Sequence, residues 1–293
     1  MVSPVNAALI VQQLVNALAL GSIYAMIAVG LALIYGVLRV LHIAHAGIFT
    51  AGAYLGLYFY LLTANLTVAI LGAMIVAGLI GVAIERFVYR PMLSKPRIVA
   101  LIASIGLFIC LSDIFRILAG PDQLAFDVKS IGGALDVAGI SLPRVEFLIA
   151  GGTVAIFATL WLLLQHTSLG FAIRATAQNI ETAQIMGIDT NRSIQSVFFI
   201  GSAIAAFGGV MVGTLYDAVY PSMGDMVGYK GLALIVIGGF GSLTGAVLAA
   251  FLLGIAETVL TTYSNIPLSR DGVAMLMLVI LILVRPQGLL GRR

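Results

Sequence analysis

The sequence has few charged residues. Only 9% of its 293 residues are Asp, Glu, Lys or Arg, whereas an ordinary soluble domain carries about 25%. So few charged side chains cannot cover a surface that faces water. The apolar fraction is 61%, and the mean hydropathy is +1.13. The chain is therefore predicted to be an integral membrane protein, with almost no polar sequence from which to build a soluble domain.

Cysteine and the motifs of soluble enzymes are also scarce. The single cysteine, Cys110, lies in an apolar segment, which excludes an intrachain disulfide and a cysteine-based metal cluster. The three histidines, His42, His45 and His166, form no H-E-x-x-H pattern, so a zinc site is not expected. There is no G-x-x-x-x-G-K-[ST] loop and no G-x-S-x-G motif, so the chain is predicted to hold no catalytic site and no cofactor.

Long hydrophobic runs make up most of what remains. A helix needs about 20 apolar residues to cross the hydrocarbon layer of a membrane. Runs of about that length lie at 14–35, 46–62, 66–88, 98–118, 146–164, 194–215 and 243–262. A shorter run at 272–284 is also predicted to span, because no charge interrupts it. The predicted fold class is all-α, a polytopic transmembrane helical bundle of about eight spans in a single domain, residues 1–293.

A ninth segment, residues 229–240, is about half a span long and runs into Gly238, Gly239, Gly241 and Gly245. Two interpretations of these glycines stay open. In the first interpretation, they break the helix beside a transport pathway, because irregular backbone survives at membrane depth only where protein or a water-filled cavity surrounds it. Alternatively, they allow two helices to pack closely. We predict a short broken or re-entrant segment here, with the four glycines as candidate pathway residues.

The distribution of Lys and Arg predicts the orientation of the bundle. If the loops at 36–45, 86–97 and 165–193 and the C-terminus face the cytoplasm, ten of the fifteen basic residues lie inside: Arg39, Arg86, Arg90, Lys95, Arg97, Arg174, Arg192, Arg285, Arg292 and Arg293. The others then lie outside or near the outer interface: Arg116, Lys129, Arg144, Lys230 and Arg270. This arrangement puts the N-terminus outside and the C-terminus inside, so the number of crossings is odd and segment 229–240 is counted as a crossing.

Ionisable residues within apolar sequence are further candidates, because a charge in hydrocarbon is costly. Glu257 has no cation at helical spacing, and the sequence leaves open whether it faces the protein interior or the outer interface. His42 and His45 lie one helical turn apart at the end of the first inner loop, where capping or interfacial packing is favoured over a gating or substrate contact. Asp113 and Arg116 are interpreted as an interfacial ion pair.

The longest inner loop, 165–193, lacks the Gly, Ser and Pro composition of a flexible linker. Apolar and small residues recur in it at helical spacing as far as Gly187, which predicts a short helix at the cytoplasmic surface. Such a helix fits a groove on another protein. The alternative is an amphipathic helix that rests on lipid, for which this segment has few Lys and Arg.

This loop carries the first resemblance to a known family. Glu181-Thr182-Ala183, followed three residues later by Gly187, resembles the E-A-A-x-x-x-G loop of ABC-importer permeases, which receives the ATPase subunit. Thr182 replaces the usual alanine. The resemblance implies that Arg174, Glu181, Thr182, Ala183 and Gly187 couple the chain to an ATPase.

Further blocks resemble the LivH-type permeases of branched-chain amino-acid ABC transporters. They are G-S-I-Y-A at 21–25, G-L-A-L-I-Y-G-V-L-R-V at 30–40, G-A-Y at 52–54, R-A-T-A-Q-N at 174–179, G-G-F-G-S-L-T-G-A at 238–246 and R-P-Q-G-L at 285–289. They cover nearly the whole chain in the family's order. The family's N-F-A-H-G-acidic string reads H-I-A-H-A-G at 42–47 here, so the acidic residue is missing and the exact cargo stays open.

The resemblance implies a permease subunit of a bacterial inner-membrane importer for branched-chain or related amino acids. It also implies that ATP is hydrolysed on separate cytoplasmic ABC ATPase subunits. The other implied partners are a second homologous permease, a periplasmic solute-binding protein and membrane lipid, with no nucleic acid. The candidate pathway residues are His42, His45, Gly238, Gly239, Gly241, Gly245 and Glu257. The alternative function is a stand-alone channel or facilitator for a small neutral solute, which would not need the 165–193 loop.

Overall fold

The computed structural model describes residues 4–93, 95–128, 133–137, 140–263, 269–285 and 287–290. The helices are α1 Pro4–Leu38, α2 Ala44–Thr63, α3 Leu66–Ile84, α4 Arg97–Ala119, α5 Arg144–His166, α6 Ser168–Gln178, α7 Ile180–Ile185, α8 Thr190–Leu215, α9 Met223–Gly238, α10 Leu243–Tyr263 and α11 Arg270–Val284. A π-helical turn, Glu85–Tyr89, and a 3-10 turn, Arg90–Met92, follow α3. The short strands are β1 Leu124–Ala125, β2 Ala134–Val137, β3 Ile140–Pro143 and β4 Ala218–Val219.

Seven helices in the described part of the chain are long and apolar enough to cross a membrane. They are α1, α2, α3 with its following turns, α4, α5, α8 and α10, and they coincide with the seven predicted long runs. Helices α9 and α11 have 16 and 15 residues. The strands form two small antiparallel pairs, β1 with β4 and β2 with β3. The predicted all-α membrane bundle is therefore confirmed.

Helix α1 forms the centre of the bundle. Its most apolar stretch is 94% buried, whereas the corresponding stretches of α4 and α5 are 17% and 22% buried. Helices α8 and α10 pack along α1, and α2, α3 and α9 complete the inner layer. Apolar side chains on the outer helices, such as Ile117 and Trp161, point away from the protein. This exposure is expected of helices that face lipid.

Small residues allow the inner helices to approach closely. A side chain at Gly52 of α2 would overlap the backbone of Ala206 in α8, and one at Gly209 of α8 would overlap the backbone of Phe49 in α2. Close backbone approach through glycine and alanine is the usual way in which transmembrane helices gain packing energy, because lipid gives them no hydrophobic driving force.

The segment 229–240 is the second half of a regular helix, α9, followed by a tight turn. Gly239 and Gly241 have φ of 100° and 78°, which favours glycine. Gly238 and Gly245 meet backbone to backbone, so α9 and α10 form a close hairpin. The structure therefore shows close packing at Gly238 and Gly245 and a break of the helix in the turn at Gly239 and Gly241. The role of the four glycines in a pathway stays a prediction.

The α9–α10 turn lies at one end of the bundle, which we call the loop end because α6 and α7 also lie there. The ring of Phe240 packs on Tyr35 at a centroid distance of 5.0 Å, near the end of α1. The backbone N–H groups of Leu289 and Leu290 donate to the carbonyls of Ile237 and Gly238 at 2.8 and 3.1 Å. Two of the sequence blocks, 238–246 and 285–289, are thus in direct contact.

The irregular segment inside the bundle is at 39–43, between α1 and α2. The chain turns at the exposed Arg39, with φ of 53°, and then runs back into the protein. A Cβ atom at Gly30 would lie 2.7 Å from Cε1 of His45. Because about 12 Å of helix separates Gly30 from Leu38, α2 begins well inside the bundle. The prediction that all of 36–45 is a surface loop is therefore wrong for its second half.

Candidate functional site

The 165–193 segment contains two short helices whose ends are fixed by side-chain caps. The Thr167 hydroxyl accepts from the Gly170 N–H at 3.0 Å and begins α6. The Asn179 side-chain oxygen accepts from the Thr182 N–H at 3.0 Å and begins α7. Gly187, with φ of 82°, follows α7, and Asp189 caps α8 by accepting from the Arg192 N–H at 3.0 Å. These caps satisfy free N–H groups at the helix starts, so the segment is ordered and not a flexible linker.

The predicted coupling residues lie together on this pair of helices. Glu181, Thr182 and Gly187 are exposed, whereas Ala183 is buried and anchors α7. Arg174 on α6 is half-buried, and its Nη1 atom has no hydrogen-bond partner among the described residues. Helix α7 therefore presents its carboxylate and hydroxyl outward from a fixed base.

Large apolar side chains are exposed on the same segment. Ile185 is 84% exposed, Met186 77% and Phe171 62%. A groove with a cavity volume of about 430 Å³ runs between Phe171 and Met186, with Ala175 and Ile188 in its lining. A second cleft of about 470 Å³ separates α7 from the start of α4. An apolar patch next to open grooves at one end of a membrane bundle is typical of a surface that another protein covers.

The two candidate histidines are buried, each with 1% of its surface exposed. His42 Nδ1 lies 2.7 Å from the Tyr89 hydroxyl, and its ring contacts the Phe198 ring edge-on at 5.3 Å between centroids. The N–H of Ala44 is paired with the Ser104 hydroxyl at 3.0 Å, so no histidine side chain caps α2. The predicted capping role is thus wrong, because segment 39–43 carries the rings into the interior. Interfacial packing depends on where the membrane lies and stays a prediction. A gating or substrate contact stays a prediction.

Glu257 faces the protein interior, which answers the question that its sequence left open. Its side chain is fully buried and pairs with the equally buried Lys230, with 2.8 Å between Nζ and Oε1. The Tyr24 hydroxyl donates to Glu257 Oε2 at 2.6 Å and accepts from Lys230 Nζ at 2.9 Å. Helix α9 points the Lys230 side chain into the bundle, and the prediction that this residue lies outside or near the outer interface stays a prediction.

The charged network extends from this pair towards the protein surface. Lys230 Nζ lies 3.2 Å from Oδ1 of Asp271, whose side chain is 46% exposed, and the Tyr229 hydroxyl donates to Asp271 Oδ2 at 3.0 Å. Four helices, α1, α9, α10 and α11, therefore meet through one network, to which α1 contributes the Tyr24 hydroxyl and the other three contribute charges. Sequence reasoning missed Lys230, Tyr24 and Asp271, because helical spacing shows partners on one helix and not across a helical hairpin.

The candidate residues do not form one site. The predicted coupling residues and the four glycines lie at the loop end, the histidines lie deeper, and Glu257 belongs to the network described above. The Asp113–Arg116 ion pair is confirmed, at 3.0 Å and about half exposed. No group of three or more His, Cys, Asp or Glu within the described ranges is arranged to hold a metal ion.

Comparisons with known sequences give one consistent result. The sequence profile of the family described as branched-chain amino acid transport system / permease component matches residues 13–284. The high-affinity branched-chain amino acid transport system permease protein LivH of Salmonella typhimurium is 32% identical, covering 96% of this chain and 95% of its own. The corresponding protein BraD of Pseudomonas aeruginosa is also 32% identical, with the same coverage.

Solved structures share the fold at much lower sequence identity. A chain of PsaBC from Streptococcus pneumoniae, in complex with Fab, aligns with a TM-score of 0.53 and 15% identity, covering 93% of this chain and 90% of that one. A chain described as part of a metal-chelate type ABC transporter in an inward-facing conformation gives a TM-score of 0.54 and 15% identity, covering 96% and 89%. These two similarities concern the fold alone.

Proposed function

The chain belongs to the family of branched-chain amino-acid transport permease components, and on that premise we propose that it carries branched-chain or related amino acids across the bacterial inner membrane. It is the membrane permease component of an ABC importer and works with other subunits of that transporter. The relatives that share its full length are named for branched-chain amino acids, which supports the proposed class of cargo.

The energy for transport comes, in this proposal, from ATP that cytoplasmic ABC ATPase subunits hydrolyse. The observation that carries it is the capped α6–α7 segment, which exposes Glu181 and Thr182 beside the apolar side chains of Ile185 and Met186. When two ATPases close on nucleotide, a helix seated on them moves with them, and α8 follows directly from it in the chain. The segment is thus the element that transmits the ATPase motion to the spans.

The proposed orientation puts the loop end in the cytoplasm, the N-terminus outside and the C-terminus inside. Exposed Arg39 at the loop end supports it, as does the excess of basic residues in the predicted inner loops. Lys129, Arg292 and Arg293 lie outside the described residues.

The remaining proposed partners are a second homologous permease chain, a periplasmic solute-binding protein and membrane lipid. The exposed apolar faces of α4 and α5 support contacts with lipid or with a second permease. The binding protein would deliver cargo at the end opposite the loop end, where β1 pairs with β4. The alternative, a stand-alone channel, is not favoured, because a channel does not need an ordered helix pair with an exposed apolar patch.

Uptake by the reconstituted importer tests the proposal. Proteoliposomes that contain this chain with its ATPase and second permease should take up L-leucine only with the binding protein outside and ATP inside. A catalytically dead ATPase is the control. Uptake that is equally fast with the dead ATPase would show a facilitator and would refute the importer.

A further inference from the structure

The buried ion pair of Lys230 and Glu257 is not explained by packing alone. Lys230 is the only Lys or Arg among the described residues that is fully buried, and Glu257 has no exposed surface either. Ion pairs of this kind are weak contributors to stability, because desolvation cancels much of the Coulomb attraction. Ionisable groups inside a membrane protein more often mark a route for ions or substrates.

A small cavity lies directly beside this network. Lys230 and Tyr24 form its polar wall. Its apolar walls are the α1 side chains Leu20, Ile23 and Ile27 and the α9 side chains Met223, Met226 and Val227. Its volume is about 40 Å³, which holds water but no amino acid. A larger ligand would therefore fit here only if the surrounding helices moved apart.

The position of the cavity suits a ligand that enters from the end opposite the loop end. Tyr216 and Tyr220, which follow α8 at that end, also line the cavity and are 48% and 38% exposed. Arg270 donates to the Tyr216 hydroxyl at 3.3 Å, and Asp271 joins Lys230 to the surface. A path from the surface to Lys230 therefore passes between aromatic side chains and one charge of each sign.

We propose that Lys230 and Glu257 form the binding site for the charged groups of a zwitterionic amino acid, with Lys230 taking the carboxylate and Glu257 the ammonium group. A zwitterion inserted between the two side chains replaces one ion pair by two and leaves the net charge of the site unchanged. No buried charge loses its partner during this exchange, so the usual penalty for breaking a buried pair is avoided.

The apolar walls would then take the side chain of the ligand. Aliphatic residues together with two methionines fit an uncharged side chain, and the flexible thioether accommodates different branched shapes. Binding has to separate α1 and α9 from α10, because the present space is too small. A ligand that stabilises the separated arrangement shifts the bundle towards it. This inference rests on the proposed function, since it names the recognition site of the same permease.

The test separates recognition from structural pairing by removing the charges singly and together. The variants are Lys230→Met, Glu257→Gln and the double variant, with Asp113→Asn/Arg116→Met as a matched control for an exposed pair. Each is reconstituted with the ATPase, the second permease and saturating binding protein. The measurements are ATP-driven uptake of labelled L-leucine and the yield of folded complex.

Each single variant should lower uptake about thirtyfold or more, because it leaves one ligand charge unpaired and takes the closest partner from the buried charge that remains. The double variant leaves no unpaired buried charge, since Asp271, which loses Lys230, is 46% exposed, so it should assemble like the wild type while uptake stays low. The control variant should transport normally. Wild-type uptake by the double variant would show that the pair is only structural and would overturn the inference.

A second measurement uses the wild-type complex without the binding protein and does not depend on how the variants fold. L-leucine should raise its thermal unfolding temperature, whereas L-leucinamide, which lacks the carboxylate, and 4-methylpentanoate, which lacks the ammonium group, should not. Equal shifts with all three compounds, or none with leucine, would overturn the inference. Failure of the proposed function can be distinguished from failure of this inference, because the wild-type importer would then show no ATP-driven uptake.

Discussion

Removing the exposed apolar side chains of α7 should weaken ATPase binding without affecting the fold. Ile185→Ala removes three carbons from a side chain that is 84% exposed in the isolated chain. If the ATPase buries this side chain, the loss is about 2 kcal/mol at roughly 0.8 kcal/mol per carbon. That free energy corresponds to about a 30-fold rise in the Kd of the complex. Unfolding temperature should not change, because surface truncations of this kind are nearly neutral.

The assay is the Kd of the purified ATPase for the permease in nanodiscs, measured by biolayer interferometry. Ile117→Ala is the matched control, since Ile117 is 81% exposed on α4, away from the α6–α7 segment. The reasoning predicts a weaker Kd for Ile185→Ala and no change for Ile117→Ala. Equal Kd values for both variants and the wild type would mean that the ATPase does not cover α7, and the lipid-resting alternative would then explain its exposed side chains.

Two further predictions concern packing and topology. Gly245→Leu should reduce both uptake and thermal stability, because any side chain there overlaps the Gly238 carbonyl. The control is Gly106→Leu, at a position where a Cβ has open space. Equal uptake and equal stability of the two variants would contradict the tight hairpin. Single cysteines at Ser3 and Gly291, in a Cys110→Ser background, should react differently with an impermeant thiol reagent on intact cells; labelling at Gly291, or at both positions, would refute the proposed orientation.

The long spans were predictable because hydropathy records which residues tolerate lipid. The ends of these spans were less predictable. Helix α1 extends from Pro4 to Leu38 and not only over 14–35, since Gln12 and Gln13 interrupt the apolar run but are good helix formers. Helix α8 begins four residues before the predicted span, at Thr190, because Asp189 caps it. Hydropathy measures the part of a helix that faces lipid or protein, whereas caps set its true length.

Features that depend on contacts between distant residues were not predictable. Arg39 correctly indicated a surface position, yet nothing in the following residues shows that the chain returns into the bundle by His42. Lys230 and Glu257 are 27 residues apart on two helices, and only the packing of the hairpin brings them together. The α6–α7 segment was easier to predict, because its caps and its family-like motif are local in sequence.

The Lys230–Glu257 pair also constrains how the chain enters the membrane. During synthesis Lys230 leaves the ribosome 27 residues before Glu257, so α9 is complete while its counter-charge is still missing. A lysine at the centre of a helix costs about 2.5–3.5 kcal/mol on the translocon scale, and α9 has only 16 residues to offset it. We therefore expect α9 to wait at the translocon and to enter lipid together with α10 as a preformed hairpin. A chain truncated within the α9–α10 turn should leave α9 uninserted in a glycosylation-reporter assay, whereas insertion of that truncated helix would contradict this order of assembly.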